Sequence, residues 1–158
     1  MPIIITITEQ GNDVYINATC QVNLDTLTYG SYANATFTNT YKFNPKESLI
    51  SFSPLNTNFV GISYVIPSDQ DYRWAPISAP GLENVTPVSI VYSANWAYKY
   101  QGGITNPLRL TLPTGYVSNT LLTGTMIYQN ETISSLGLNP GKFGATWKSS
   151  TVNNYDYI

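Results

Sequence analysis

The chain has 158 residues, enough for one domain that buries a core without disulfides or metal ions. Hydrophobic residues make up 42% of it and charged residues only 10%, against roughly 25% in a typical soluble domain, so Ser, Thr and Asn must supply the polar surface. The formal net charge is −2 and the seven basic residues are scattered, which argues against a nucleic-acid partner. With no histidine and one cysteine, the composition excludes Ser-His-Asp triads, Cys-His dyads and an internal disulfide.

The beginning of the chain carries the pattern of a β-hairpin. A mostly apolar run at residues 3–8 precedes the turn-forming sequence Gln-Gly-Asn-Asp. After the turn every second residue is apolar as far as Leu24, while Tyr15, Asn17 and Thr19 fall on the opposite face. Cys20 lies on the apolar face without basic neighbours, so we predict a buried hydrophobic residue and not a reactive thiol.

The same period of two predicts further strands. They span residues 35–43, 49–53, 58–66, 89–100, 108–112, 121–129 and 143–149, and prolines punctuate the gaps between them. No segment repeats apolar residues at helical spacing. The sequence therefore predicts one all-β domain over residues 1–158. We expect an antiparallel β-sandwich of jelly-roll or Ig-like type, with about eight strands and little or no helix.

Residues 67–87 form a long Pro-rich loop, and loops of this length are often functional. Tyr72, Arg73 and Trp74 are residue types enriched at protein interfaces, so they form a candidate contact. Two other interpretations stay open. In the first, Asp69, Asp71 and Glu83 would hold a calcium ion, although the Gly and bidentate Glu of a full calcium loop are missing. In the second, Trp74 packs against the edge of the sandwich.

The alternation is strongest over residues 89–100, where aliphatic and aromatic residues share one face. That mixture favours a core role. Aromatic rings displayed on a strand also stack on sugars, so a carbohydrate site made of Trp74, Tyr98 and Tyr100 is the alternative. None of the nine acidic residues is marked as part of a glycosidase carboxylate pair, and we predict a non-enzymatic protein with no catalytic residue, cofactor or metal site.

The last part of the chain combines a hairpin with an apolar end. Residues 132–147 read as a strand end, a turn at Asn-Pro-Gly and a strand that carries Phe143 and Trp147. Residues 151–158 form either a final strand or a C-terminal arm that contacts a partner through Tyr155, Tyr157 and Ile158. Both interpretations are kept.

Two stretches carry a resemblance to a known class of proteins. Residues 5–28, ITITEQGNDVYINATCQVNLDTLT, contain Glu-x-Gly-x-Asp-Val before an alternating strand. Residues 112–147 contain Leu-Pro-x-Gly-Tyr-Val-Ser and later Ser-Leu-Gly-Leu-x-Pro-Gly. In this order they resemble the start and end of the all-β domain of cyanobacterial PEP-CTERM-class surface proteins. The resemblance implies the same fold and carries no catalytic residue.

Members of that class begin with a signal peptide and finish with a sorting tail, and this chain shows neither. We therefore expect a cyanophage virion protein, made in the host cytoplasm without a secretion signal and serving as a capsid decoration or cement protein. Its expected partners are the major capsid protein or another virion protein and further copies of itself, without nucleic acid or membrane. The alternative is a carbohydrate- or cell-surface-binding module of a phage tail or bacterial surface.

Overall fold

The computed structural model describes residues 3–26, 28–29, 35–37, 43–44, 49–53, 59–66, 87–99, 108–138, 146–148 and 155–157. Almost all regular structure in these ranges is strand, and one three-residue 3₁₀ turn occupies Leu24–Thr26. No helix in these ranges is long and apolar enough to cross a membrane. In chain order the strands are β1 (Ile3–Gln10), β2 (Asp13–Cys20), β3 (Thr28–Tyr29), β4 (Ala35–Phe37), β5 (Phe43–Asn44), β6 (Leu49–Phe52), β7 (Phe59–Ile66), β8 (Ser89–Tyr92), β9 (Trp96–Lys99), β10 (Leu108–Pro113), β11 (Leu122–Gln129), β12 (Thr146–Lys148) and β13 (Tyr155–Tyr157).

These strands form two main sheets, and every pairing is antiparallel. The first sheet has the order β1–β2–β11–β8. The second has the order β3–β7–β10–β9–β6–β5, with β4 also paired to β7, and β12 and β13 form a separate pair. The predicted all-β antiparallel fold is confirmed. Eight of the described strands have four or more residues: β1, β2, β6, β7, β8, β9, β10 and β11.

The prediction of one continuous strand over residues 89–100 is wrong. The chain bends at residues 93–95, so β8 belongs to the first sheet and β9 to the second. Ser93 causes the break: its N–H donates to the Thr123 carbonyl at 3.1 Å, while its Oγ accepts from the Thr123 N–H at 2.9 Å. The hydroxyl thus accepts the hydrogen bond that the Ser93 carbonyl would accept in a continued ladder, and the ladder ends there.

The two described parts of the predicted strand at residues 35–43 have different partners. Ala35–Phe37 pairs with β7, whereas Phe43 starts β5 and pairs with Ile50 of β6. The other predicted strands lie within a few residues of observed ones. The calcium, interface and edge interpretations of residues 67–87 fall outside the described residues except for Pro87, and so does the predicted turn at residues 139–141.

The two main sheets share one hydrophobic core. Phe52 stacks on Trp96 within the second sheet, with ring centroids 4.9 Å apart. Phe43 of the second sheet contacts Tyr128 of the first, at 6.0 Å between centroids. The buried residues of this core are Ile3, Val14, Ile16, Ala18, Cys20, Val22, Phe43, Ile50, Phe52, Trp96, Leu110, Leu112, Leu122, Met126, Tyr128, Leu136 and Leu138. Both sheets supply them, so the core lies between the two inner faces.

Gly124 is the point where the sheets approach most tightly among the glycines described. It lies in the middle of β11, and a Cβ atom added there would overlap the ring of Phe52. The absence of a side chain is what lets the Phe52 ring approach β11 this closely. Because Phe52 is fully buried against Trp96, its ring has no free volume to move into.

Tyr116 ties the end of β2 to the loop that follows β10. Its hydroxyl donates to the Thr120 carbonyl at 2.7 Å and accepts from the Val22 N–H at 3.1 Å. Ser118 Oγ accepts from the Leu24 N–H at 3.0 Å in the same place. Burial raises the pKa of Tyr116, so the phenol stays protonated and keeps both roles. Residues 22–24 are therefore held by side chains in place of a strand partner.

Residues 132–138 form turns, and the predicted strand end at this position is wrong. Ser135 N–H donates to Thr132 Oγ1 at 2.9 Å, and Leu136 N–H donates to the Thr132 carbonyl at 3.0 Å. This winding turns Leu136 and Leu138 inward, where both are buried. The segment covers one end of the core, and Trp147 further on belongs to β12.

We expect Gly124→Ala to lower the free energy of unfolding by about 1–3 kcal/mol, because the new methyl group overpacks a filled core. Urea denaturation followed by fluorescence measures the change. The matched background is Phe52→Leu, which makes room over residue 124. Gly124→Ala should cost less there than in the natural chain. Equal losses in the two backgrounds would show that the close approach of Phe52 is not the cause.

A second expectation compares the half-buried phenol of Tyr116 with the buried phenol of Tyr128. Tyr116→Phe should lose about 1–2 kcal/mol, since it leaves the Val22 N–H and the Thr120 carbonyl without their partner. Tyr128→Phe should leave stability unchanged or raise it, because the Tyr128 hydroxyl is buried and has no hydrogen-bond partner in the part of the chain described. Thermal unfolding of both variants checks the contrast. A larger loss for Tyr128→Phe than for Tyr116→Phe would contradict it.

Candidate binding surface

The first sheet has an outer face that is open to solvent. Its members alternate with the core residues of the same strands, and the pairing of β1, β2, β11 and β8 sets them side by side. None of them is fully buried. We call this the outer face; its fourteen residues are Ile4, Thr6, Thr8, Gln10, Asp13, Tyr15, Asn17, Thr19, Ser89, Val91, Thr123, Thr125, Ile127 and Gln129.

The outer face carries almost no charge. Asp13 is the one ionisable carboxylate of the fourteen, and it lies at the end of the face. Its Oδ1 already accepts a hydrogen bond from the Asn130 N–H at 3.1 Å, so part of its capacity is used locally. The remaining residues offer hydroxyl, amide and aliphatic groups. A partner that covers this face therefore buries few charged groups, and the free-energy cost of removing charges from water is small.

One row of residues crosses all four strands in register. Thr6 pairs with Asn17, Asn17 with Thr125, and Thr125 with Val91. Thr125 Oγ1 donates to Asn17 Oδ1 at 2.8 Å, which fixes the amide orientation. The amide NH₂ of Asn17 then remains as a donor at the centre of the face, and Asn17 is exposed.

Aliphatic side chains stand exposed at both edges of this face. Ile4 on β1 is 48% exposed and Val91 on β8 is 67% exposed, and Val88, just before β8, is 61% exposed. Tyr15 is the one aromatic residue of the face and is half-buried. Carbohydrate sites commonly use exposed aromatic rings, and this face offers one half-buried ring and exposed aliphatic groups at its edges.

Two of the described carboxylates bind groups of the turn that follows β11. Glu9 accepts from the Ile133 N–H and Glu131 from the Ser135 hydroxyl, so each serves the turn at residues 130–138. Within the described ranges no group of three or more Cys, Asp or Glu side chains is close enough to hold a metal ion. Cys20 is fully buried, and burial raises the pKa of its thiol to about 12. The predicted burial of Cys20 is confirmed.

The predicted site residues fall in different places. Tyr98 lies in the middle of the second sheet, in register with Ile50 of β6 and Leu110 of β10. Tyr155 and Tyr157 lie in β13, which pairs with β12, so this part of the C-terminal segment is a strand. The remaining predicted residues lie outside the described part of the chain: Tyr72, Arg73, Trp74, Tyr100 and Ile158.

Sequence reasoning missed the outer face as a site. The sequence shows polar residues at every second position at Tyr15, Asn17 and Thr19. Thr123 and Thr125 show the same spacing on β11. What the sequence does not give is the pairing of β2 with both β1 and β11, which joins these short polar sets into one surface. A search for uncharged polar alternation in several strands would have pointed to it.

Comparison with known proteins finds no matching family model, no matching curated protein and no matching solved structure. The resemblance to the all-β domain of PEP-CTERM-class surface proteins, which rests on residues 5–28 and 112–147, stays a prediction.

Proposed function

We propose that this protein is a non-enzymatic structural domain that attaches to a protein lattice, as a capsid decoration or cement protein of a virion. The attachment site is the outer face. Its partner is the major capsid protein or another virion protein that repeats over the particle surface. The residues of the chain contribute shape, hydroxyl and amide groups, and exposed aliphatic side chains to this contact.

The observation that carries the proposal is the low charge of a broad exposed sheet face. Thirteen of the fourteen outer-face residues are uncharged, and Ile4 and Val91 leave apolar surface in water at its two edges. A surface of this kind gains free energy when it is covered, because apolar area leaves water and few charges lose their hydration. It fits a partner surface that is itself mainly polar and uncharged.

The size of the contact explains why a lattice suits it. A standard interface covers roughly 800 Å² on each partner, which is about what one face of a small domain supplies. Such a patch alone binds modestly. Many copies bound to a repeating surface, or copies joined to one another, add their contacts and hold the layer in place.

The carbohydrate-binding alternative draws less support from the described residues. The outer face offers one aromatic ring, Tyr15, and that ring is half-buried. Tyr98 lies between β6 and β10 in the middle of a sheet. Trp74 and Tyr100 lie outside the described residues, so a sugar site that depends on them stays a prediction.

We expect Ile4→Lys to weaken binding to undecorated capsids by about tenfold or more, since it places a charge inside the covered face, where water is excluded. Ile4 is half-exposed at the edge of β1, so the lysine has room in the free protein. The measurement is co-sedimentation of purified protein with undecorated capsids over a range of protein concentrations. Binding of the natural chain should change little between low and high salt.

The matched control is Val117→Lys. Val117 is 68% exposed and lies in the loop after β10, so it is not one of the fourteen outer-face residues, and the substitution adds the same charge. Equal weakening by both lysines would mean that net charge matters and that the outer face does not. Failure of the natural chain to bind capsids, together with its retention on a host polysaccharide column, would favour the carbohydrate alternative.

A further inference from the structure

We propose that β8 pairs with β8 of a second copy of this chain, in an antiparallel arrangement with Val91 at the two-fold axis. The first sheets of the two copies then join into one sheet of eight strands. This inference does not rest on the proposed attachment to a capsid, because it concerns the protein by itself. It follows from the backbone, exposure and charge of the β8 edge.

The β8 strand is an edge with an unusual amount of apolar exposure. Among the strands that the structure describes it has one neighbour in the first sheet, β11. Val91 within β8 and Val88 just before it are 67% and 61% exposed, whereas the opposite edge strand β1 shows one such residue, Ile4, at 48%. An exposed apolar edge strand is the usual site for the addition of another strand.

The alternation of backbone hydrogen bonds shows which residues of β8 direct their N–H and carbonyl groups to the open edge. Ser93 N–H donates to the Thr123 carbonyl, so Ser93 faces β11. In an antiparallel ladder the backbone groups of successive residues point alternately to the two sides of the strand. The N–H and carbonyl of Val91, in register with Thr125, therefore also point toward β11. Ile90 and Tyr92 turn their backbone N–H and carbonyl groups to the open edge. They are the donors and acceptors that a new strand would use.

Ile90 and Tyr92 determine the register of the proposed strand pair. The Val88 N–H is already used, since it donates to the Ile127 carbonyl at 2.8 Å. The symmetric register that pairs Ile90 with Tyr92 of the second copy, and Tyr92 with Ile90, uses both outward residues of each strand. It leaves Val91 directly opposite Val91 of the second copy in a non-hydrogen-bonded pair, where side chains lie closest. The most exposed residue of the strand is thereby covered.

Charge is the reason why the occupant is a second copy. From Val88 to Tyr98 the sequence contains no charged residue, and the nearest ones along the chain are Glu83 and Lys99. Edge strands that must stay single usually carry a lysine or another charge that repels an identical strand. Two copies of this edge meet without like-charge repulsion, and a two-fold pairing places each valine against its own equivalent.

The pairing also bears on the outer face. The two-fold axis of an antiparallel strand pair is perpendicular to the sheet, so residues that pair across the axis point to the same side. The outer faces of the two copies, which contain Val91, therefore lie on one side of the joined sheet. A dimer of this form doubles the uncharged surface that faces any one partner.

Cysteine cross-linking tests the geometry in the full-length chain without capsids. In Val91→Cys the two thiols would face one another at a Cα separation of about 4.5–5.5 Å, a distance that a disulfide spans. We expect this variant to form a disulfide-linked dimer at least tenfold faster than the controls under mild oxidation. The natural chain should not cross-link under these conditions, because its one cysteine, Cys20, is buried and the pKa of that thiol is raised to about 12.

Two equally exposed valines serve as controls. Val117→Cys, at 68% exposure in a loop, reports random collision, and Val88→Cys, at 61%, lies on the same edge but off the axis. Unfolding curves confirm that all three variants fold. Equal cross-linking rates for the three would overturn the proposal, as would a faster rate for Val88→Cys or no dimer with Val91→Cys. In a separate sedimentation experiment, Val91→Lys should be monomeric at concentrations where the natural chain dimerises.

Discussion

The contact of the Phe52 ring with Gly124 is the constraint on which the rest of the structure depends. It brings β6 of the second sheet onto the middle of β11 in the first, at a spacing that only a glycine allows. Trp96 supports the ring from within its own sheet, and Phe43 with Tyr128 repeats the contact nearby. Aromatic rings from both sheets fill the space between them, and the residues of β2 and β11 that alternate with the core face outward; most of these are polar.

The proposed function depends on the residues of the first sheet that face away from the core. The residues that alternate with the core on β1, β2, β11 and β8 make up the outer face, and most of them are Thr, Asn, Gln or aliphatic residues. The described carboxylates at the end of β1 and in the following turns hold backbone N–H groups or a serine hydroxyl, which leaves them a structural role. The open β8 edge gives the same face a way to extend over two copies.

Local patterns gave most of the fold, and contacts distant in sequence gave the rest. The alternation after Val14 predicts β2, its inner face and the burial of Cys20, because a strand buries every second residue whatever its neighbours are. The break between β8 and β9 depends on the Ser93 hydroxyl bonding Thr123, thirty residues away, which no local pattern contains. The outer face was missed for the same reason. Its four strands come from three separate parts of the chain, and only their register makes one surface.

The central claim is that the outer face of the first sheet holds this protein on a lattice. A reconstruction of the decorated particle by electron cryomicroscopy tests it most directly, since the two sheets differ in strand number and can be told apart in density. The account predicts one layer of this domain on the capsid, with β1, β2, β11 and β8 against the lattice and the second sheet facing solvent. Particles without this layer, or a layer bound through the second sheet, would contradict it.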